Sequence, residues 1–125
     1  MMRRMLLGLL ALAACTAACD WSKPAPDPNY DGDRAREVLL DVLETWKQGQ
    51  ARTLAKRNPP VRFVDDDYVE GATLLDFHLV DPAQTIAPYD SVPVVIKVKT
   101  GGGVIERTTV YQVTLDPKIA VLRAE

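Results

Sequence analysis

Apolar side chains recur at a helical spacing in the stretch after Asp33. Ala35, Val38, Leu39, Val42, Leu43 and Trp46 fall at i, i+3, i+4, i+7, i+8 and i+11, which is one face of a 3.6-residue turn. The spacing predicts an amphipathic helix from Asp33 to Gln48. Asp31 and Asp33 stand where a carboxylate can accept hydrogen bonds from the free N–H groups of a first turn, and Glu37 suits the positive end of the helix dipole. Lys47 and Gly49 mark its end. A shorter helix is expected from Gln50 to about Arg57. Asn58-Pro59-Pro60 stops it, because a residue before proline is driven out of helical geometry.

The period then changes to two. Ala72–Val80 reads ATLLDFHLV and places Leu75, Phe77 and Leu79 on one face of a strand, with Asp76 and His78 on the other. Val92–Thr100 places Val92, Val94, Ile96 and Val98 inward, and Val95, Lys97 and Lys99 outward. Gly101-Gly102-Gly103 signals a hairpin. Val104–Leu115 is a long strand with Ile105, Arg107, Thr109, Tyr111, Val113 and Leu115 on one side. Asp116-Pro117 turns the chain, and Lys118–Arg123 closes the sheet. Val61–Val64 is a short run that can add a further strand. No internal repeat or low-complexity segment is visible.

Helices followed by an antiparallel meander make an α+β arrangement, in which the helix stripe must be buried against one sheet face. The expected architecture is an amphipathic helix plus a short helix on a curved antiparallel sheet of about four strands. The order of elements over residues 31–123 resembles the nuclear transport factor two-like fold, also called ketosteroid isomerase-like, which belongs with the cystatin-like cones. The features that carry the resemblance are the helix ending in Trp46-Lys47-Gln48-Gly49, the short second helix, the Asp67-Tyr68 segment before the first long strand, and the meander. The resemblance implies a sheet wrapped around the long helix. That family hosts enzymes, ligand binders and protein-binding modules, so fold alone decides no function.

The N-terminus has a different composition. Residues 1–19 read MMRRMLLGLLALAACTAAC. Arg3 and Arg4 form a positive region, and Met5–Ala14 is an apolar run of signal-peptide length, too short to span a bilayer comfortably. Leu12-Ala13-Ala14-Cys15 resembles the bacterial lipobox, in which the cysteine thiol receives diacylglycerol and the chain is cut just before it. The resemblance implies a signal peptide over 1–14 and lipidation at Cys15. Thr16-Ala17-Ala18-Cys19 is a weaker second match, since Thr replaces the usual aliphatic residue. The following residues reach Tyr30 through DWSKPAPDPNY, whose three prolines favour an extended spacer. Residues 15–30 are thus expected to tether a domain spanning 31–125 to a membrane. Trp21 could sit at the bilayer interface or simply be solvated.

Charge narrows the picture further. Removing Arg3 and Arg4 with the signal peptide leaves 13 basic and 17 acidic side chains, a net charge of -4. A mildly acidic domain without a basic stripe argues against nucleic acid as a partner. The 2 cysteines of the chain are Cys15 and Cys19, so the domain has no disulfide, cysteine nucleophile or thiolate metal site.

Other candidate chemistry is sparse. Asp27-Pro28-Asn29-Tyr30-Asp31-Gly32 copies the opening of a calcium loop, but its twelfth position is Val38 where the motif needs Glu. The run Asp65-Asp66-Asp67 is expected to be a solvated loop, with Asp67 capping a short turn. His78 is the single histidine, and with Asp76 it is expected on the outward face, where an acid–base pair has no cavity to serve. No Ser–His–Asp arrangement or phosphate loop is present, and neither a metal nor a cofactor is expected. If a cavity lies under the long strand, Arg107 and Tyr111 are its candidate ligand-binding residues. They would suit an apolar ligand with an acidic end, since no strand carboxylate shares that face. Arg107 at the rim, with its head in water, is the alternative.

The expected role is therefore a lipid-anchored cell-envelope domain outside the cytoplasm, non-enzymatic, binding an envelope protein or serving structurally. A small-molecule-binding or isomerase-like pocket domain is the alternative, and a cystatin-like protease inhibitor comes third.

Overall fold

The computed structural model describes residues 30–124. The signal peptide, Cys15, Cys19, Trp21 and the opening of the calcium-like loop at Asp27 lie outside the described residues. The elements are α1 (Gly32–Lys47), a 3-10 turn (Ala51–Lys56), β1 (Val61–Val64), α2 (Asp66–Val69), β2 (Thr73–Leu79), β3 (Val92–Thr100), β4 (Gly103–Thr114) and β5 (Ile119–Arg123).

The start of α1 is set by Asp31, whose Oδ1 accepts from the backbone N–H groups of Asp33 and Arg34 at 3.0 and 3.1 Å. This satisfies two donors that a first turn otherwise leaves free. Asp31 is thereby committed as a cap. Gly49, at φ 77°, follows the C-terminus of α1, as a left-handed residue commonly does. The stripe is buried as its spacing requires: Ala35, Leu39, Val42, Leu43 and Trp46 are inside, and Val38 packs against them half-buried.

The five strands form one sheet in the order β1-β5-β4-β3-β2. The fold is α+β, but the expected all-antiparallel sheet of about four strands is corrected. β1 adds a fifth strand and runs parallel to β5, with Val61 opposite Ile119 and Val64 opposite Leu122. The remaining pairs are antiparallel. A parallel neighbour needs a long connection rather than a tight turn, and here everything from α2 through β4 supplies it.

The core lies between α1 and the sheet. Val92, Val94, Ile96 and Val98 of β3 are buried in strict alternation. In β2 the expected inner face needs one correction. A β-bulge between Leu74 and Asp76 shifts the register, so Leu74 is buried and Leu75 is exposed, while Phe77 and Leu79 keep their inward phase. An inserted residue flips the alternation on one side of it only.

Candidate functional site

Among the described residues, the largest group of buried polar side chains is built from α2 and its cap, β4 and β5. Asp65 caps α2, its Oδ1 accepting from the backbone N–H of Tyr68 at 3.0 Å. The same oxygen accepts from Arg123 Nη1 at 3.1 Å, and Oδ2 accepts from the Tyr111 hydroxyl. Asp67, two residues on, accepts from Arg123 Nη1 at 2.8 Å and lies 3.7 Å from Arg107 Nη2. Asp65 and Tyr111 are wholly buried, Asp67 is nearly so, and Arg107 reaches the surface with 39% of its side chain exposed.

Two carboxylates thus face two guanidinium groups and a phenol, and the charges cancel within the cluster. This is the arrangement that makes buried ions tolerable. Burial pushes the Tyr111 hydroxyl well above its ordinary range, and the Asp65 charge and hydrogen bond push it further the same way. Burial opposes the charge on Arg123, but hydrogen bonding to Asp67 and attraction to both carboxylates outweigh it, so the guanidinium is held more firmly protonated than usual.

The expectation of a solvated acidic run is therefore corrected: of Asp65, Asp66 and Asp67, only Asp66 is exposed. One turn of α2 carries Asp66 outward and leaves its neighbours facing the sheet. Asp65, not Asp67, is the cap. Arg107, Thr109 and Tyr111 do share the inner side of β4, and the strands supply no carboxylate there. The carboxylates come from α2, and they engage both Arg107 and Tyr111. The signal that could have found this pairing was Arg123 at the end of β5, the only charge on the final strand.

Comparison of the chain with family models, with curated proteins and with solved structures finds no match.

Under the sheet, space is filled by rings. Trp46 packs against Phe63 and Tyr68, with centroids 5.6 and 6.0 Å away, and Phe63 stacks on Tyr68 at 5.3 Å. The indole Nε1 donates to the Ala72 carbonyl at 3.2 Å, so its one polar atom is satisfied. Asp76 and His78 lie on the exposed face of β2, as their alternation after the bulge requires. Asp76 is 3.9 Å from Lys47 Nζ. Among the described residues, no group of three or more His, Cys, Asp or Glu is placed to hold a metal ion, and no helix is long and apolar enough to cross a membrane.

Two surface clefts are sizeable. One, of about 800 Å³, opens between the start of α1 and the β2–β3 loop, beside Gly32, Arg36 and Ile86. There Arg36 donates to the Gln84 carbonyl and to Asp33. The second, of about 600 Å³, lies beyond the ends of β1 and β5, against Pro59, Pro60 and Pro117.

Proposed function

We propose that the protein is a lipoprotein held to a membrane through Cys15, with its α+β domain standing outside the cytoplasm in the cell envelope. The domain binds another envelope protein or serves structurally, and does not catalyse a reaction. The observation that carries the anchor is the order Arg3-Arg4, apolar run, Leu12-Ala13-Ala14-Cys15, followed by a proline-rich spacer. Two or more acyl chains hold a protein stably to a membrane, at about 0.8 kcal/mol per buried methylene.

The non-enzymatic reading is supported by the use to which the domain's chemistry is put. Its buried acids, phenol and guanidinium groups are taken up by one another, and its histidine is exposed on a sheet face. A resemblance to the cone-like family is supported by the long buried helix, the short α2 ahead of β2, and the meander from β2 to β5. For protein binding, the tip of the β3–β4 hairpin is the candidate surface, where Val104 and Ile105 stand exposed.

The test of the anchor is metabolic labelling with palmitate of cells making the full chain. Label is expected in the wild type and in Cys19→Ser and is expected to vanish in Cys15→Ser, with unprocessed precursor accumulating. Label that survives Cys15→Ser and is lost in Cys19→Ser would move the anchor to the second cysteine, and label in neither wild type nor variant would remove it. For the partner, a photo-crosslinking residue at Val104 in intact cells is expected to give a discrete protein adduct that the same residue at Asp66 does not give.

A further inference from the structure

The cleft beyond the ends of β1 and β5 combines an apolar interior with a one-sided charge. Its floor is the Val61–Ile119 pair, both nearly buried. Pro59, Pro60 and Pro117 form its walls, with Ala55 and Leu115 at the sides. Its charged residues are Arg34, Arg62 and Lys118, with no Asp or Glu in the lining. Among the described residues none of these three cations is in an ion pair; Arg52, Lys56, Lys97 and Lys99 are likewise unpaired but do not line this cleft, whereas Arg36, Lys47, Arg57, Arg107 and Arg123 are all paired. In a chain whose net charge is negative, three unneutralised cations around one apolar cleft are a local reversal of sign.

We infer that this cleft binds an anionic amphiphile, a carboxylate or phosphate headgroup carrying an apolar chain. The volume of about 600 Å³ lies in the range of small-molecule sites, which are mostly apolar with a few placed polar groups. Proline side chains offer apolar surface without an N–H that would need a partner. Two arginines and a lysine at the rim can meet an anionic head with charge-assisted hydrogen bonds, which are about twice as strong as neutral ones. The acid-ended ligand that sequence pairs with Arg107 has no free cation there, because Asp67 answers that guanidinium; three cations without an ion pair stand at the prolines. Arg34 is also within the first turns of α1, close to where the described chain begins at Tyr30. An anionic lipid headgroup and a free fatty acid share the required chemistry. The site goes beyond the reading above and holds whether or not Cys15 carries lipid.

The experiment titrates the full chain with a fluorescent single-chain fatty acid and with the fatty alcohol of the same length. In parallel it measures how far co-sedimentation with phosphatidylglycerol vesicles exceeds that with phosphatidylcholine vesicles, so that an acyl anchor, which enters both, cancels. Two variants report on the cleft: R34A/R62A/K118A, which removes the charge, and Ala55→Trp, which fills the apolar space from an exposed position. All four positions are at the surface, and circular dichroism checks that the variants fold. The triple variant is expected to weaken the anionic ligand about tenfold or more and leave the alcohol unchanged. Ala55→Trp is expected to weaken both. A saturable fatty-acid site points to the free amphiphile. Charge-dependent binding seen only with phosphatidylglycerol vesicles, and lost in both variants, points to the bilayer lipid. Anionic binding that is the same in the triple variant as in the wild type, in both formats, overturns the inference. So does binding that the triple variant weakens but Ala55→Trp does not touch, since the apolar cleft would then play no part.

Discussion

The Tyr111 hydroxyl donates to Asp65 Oδ2 across a sequence separation of 46 residues, and both residues are fully excluded from solvent. The phenol therefore has to stay protonated for the bond to exist. Since its folded-state pKa is raised above the ordinary value of about 10, the stability it contributes is fully present below pH 10 and is lost as pH rises beyond it. We predict that unfolding free energy falls on an alkaline limb above pH 10, at up to about 1.4 kcal/mol per pH unit per group. Tyr30, also raised by burial and then by the Asp90 charge, adds to the same limb. Tyr111→Phe is expected to flatten it and to cost about 1 kcal/mol at neutral pH. Urea midpoints between pH 8 and 11.5 measure both; a limb of equal slope in Tyr111→Phe would refute the assignment.

Asp65 and Asp66 are adjacent in sequence, yet one is buried and one is exposed. Asp65→Ala removes the cap of α2, takes the carboxylate acceptor from the Tyr111 hydroxyl and leaves Arg123 with Asp67 as its remaining described carboxylate. The expected loss is about 3–5 kcal/mol. Asp66→Ala is expected to stay within about 0.5 kcal/mol of the wild type. Equilibrium denaturation of the two variants side by side decides it, and equal effects would return the run to a solvated loop.

Gly32 opens α1 against the β2–β3 loop, and a Cβ added there would come within 2.3 Å of the Ile86 carbonyl oxygen. Backbone cannot yield as a side-chain tip can, so Gly32→Ala should push the loop away from the helix. A loss of about 1–3 kcal/mol is expected, read as a lowered Tm, together with faster amide exchange around Ile86. The same substitution at Gly49 meets no atom within 4 Å. It costs only the left-handed φ of 77°, about 1–2 kcal/mol, and leaves exchange at Ile86 unchanged.

Trp46 is 3% exposed and closes the space between α1 and the first strand with Phe63 and Tyr68. Trp46→Ala is expected to cost about 3–5 kcal/mol. Trp46→Phe keeps a ring but loses the bond to the Ala72 carbonyl, and is expected to cost about 1–2 kcal/mol. Chemical denaturation of both variants provides the comparison; a Trp46→Ala protein as stable as the wild type would mean that the three rings are not a packed unit.

Local periodicity carried much of the fold. The α1 stripe from Ala35 to Trp46 and the alternation from Val92 to Val98 follow from burying one face of one element, which nearby residues suffice to specify. The shared inner face of Arg107, Thr109 and Tyr111 was legible for the same reason. Three features were not legible. The bulge at Leu74–Asp76 depends on how β2 registers with β3, and two leucines in succession leave either one free to point inward. The parallel pairing of β1 depends on where β5 ends up, and four residues carry no mark of direction. The burial of Asp65 and Asp67 depends on Arg123, which is 58 and 56 residues away; viewed locally, three consecutive acids read as solvated. In each case the deciding partner is distant in the chain.

The place of β5 between β1 and β4 also governs when this domain can exist as a folded unit. β5 is the last strand in chain order, yet it is the one that attaches β1 to the rest of the sheet, and it delivers the guanidinium that neutralises both buried acids. While a ribosome is still making the chain, α1 can close on the β2–β4 meander once that has emerged, but β1 has no neighbour in the sheet and Asp65 and Asp67 have no Arg123. Contacts of such separation form late and slowly. The parallel β1–β5 pair and the Asp65–Arg123–Asp67 bridge therefore close only once β5 has been made.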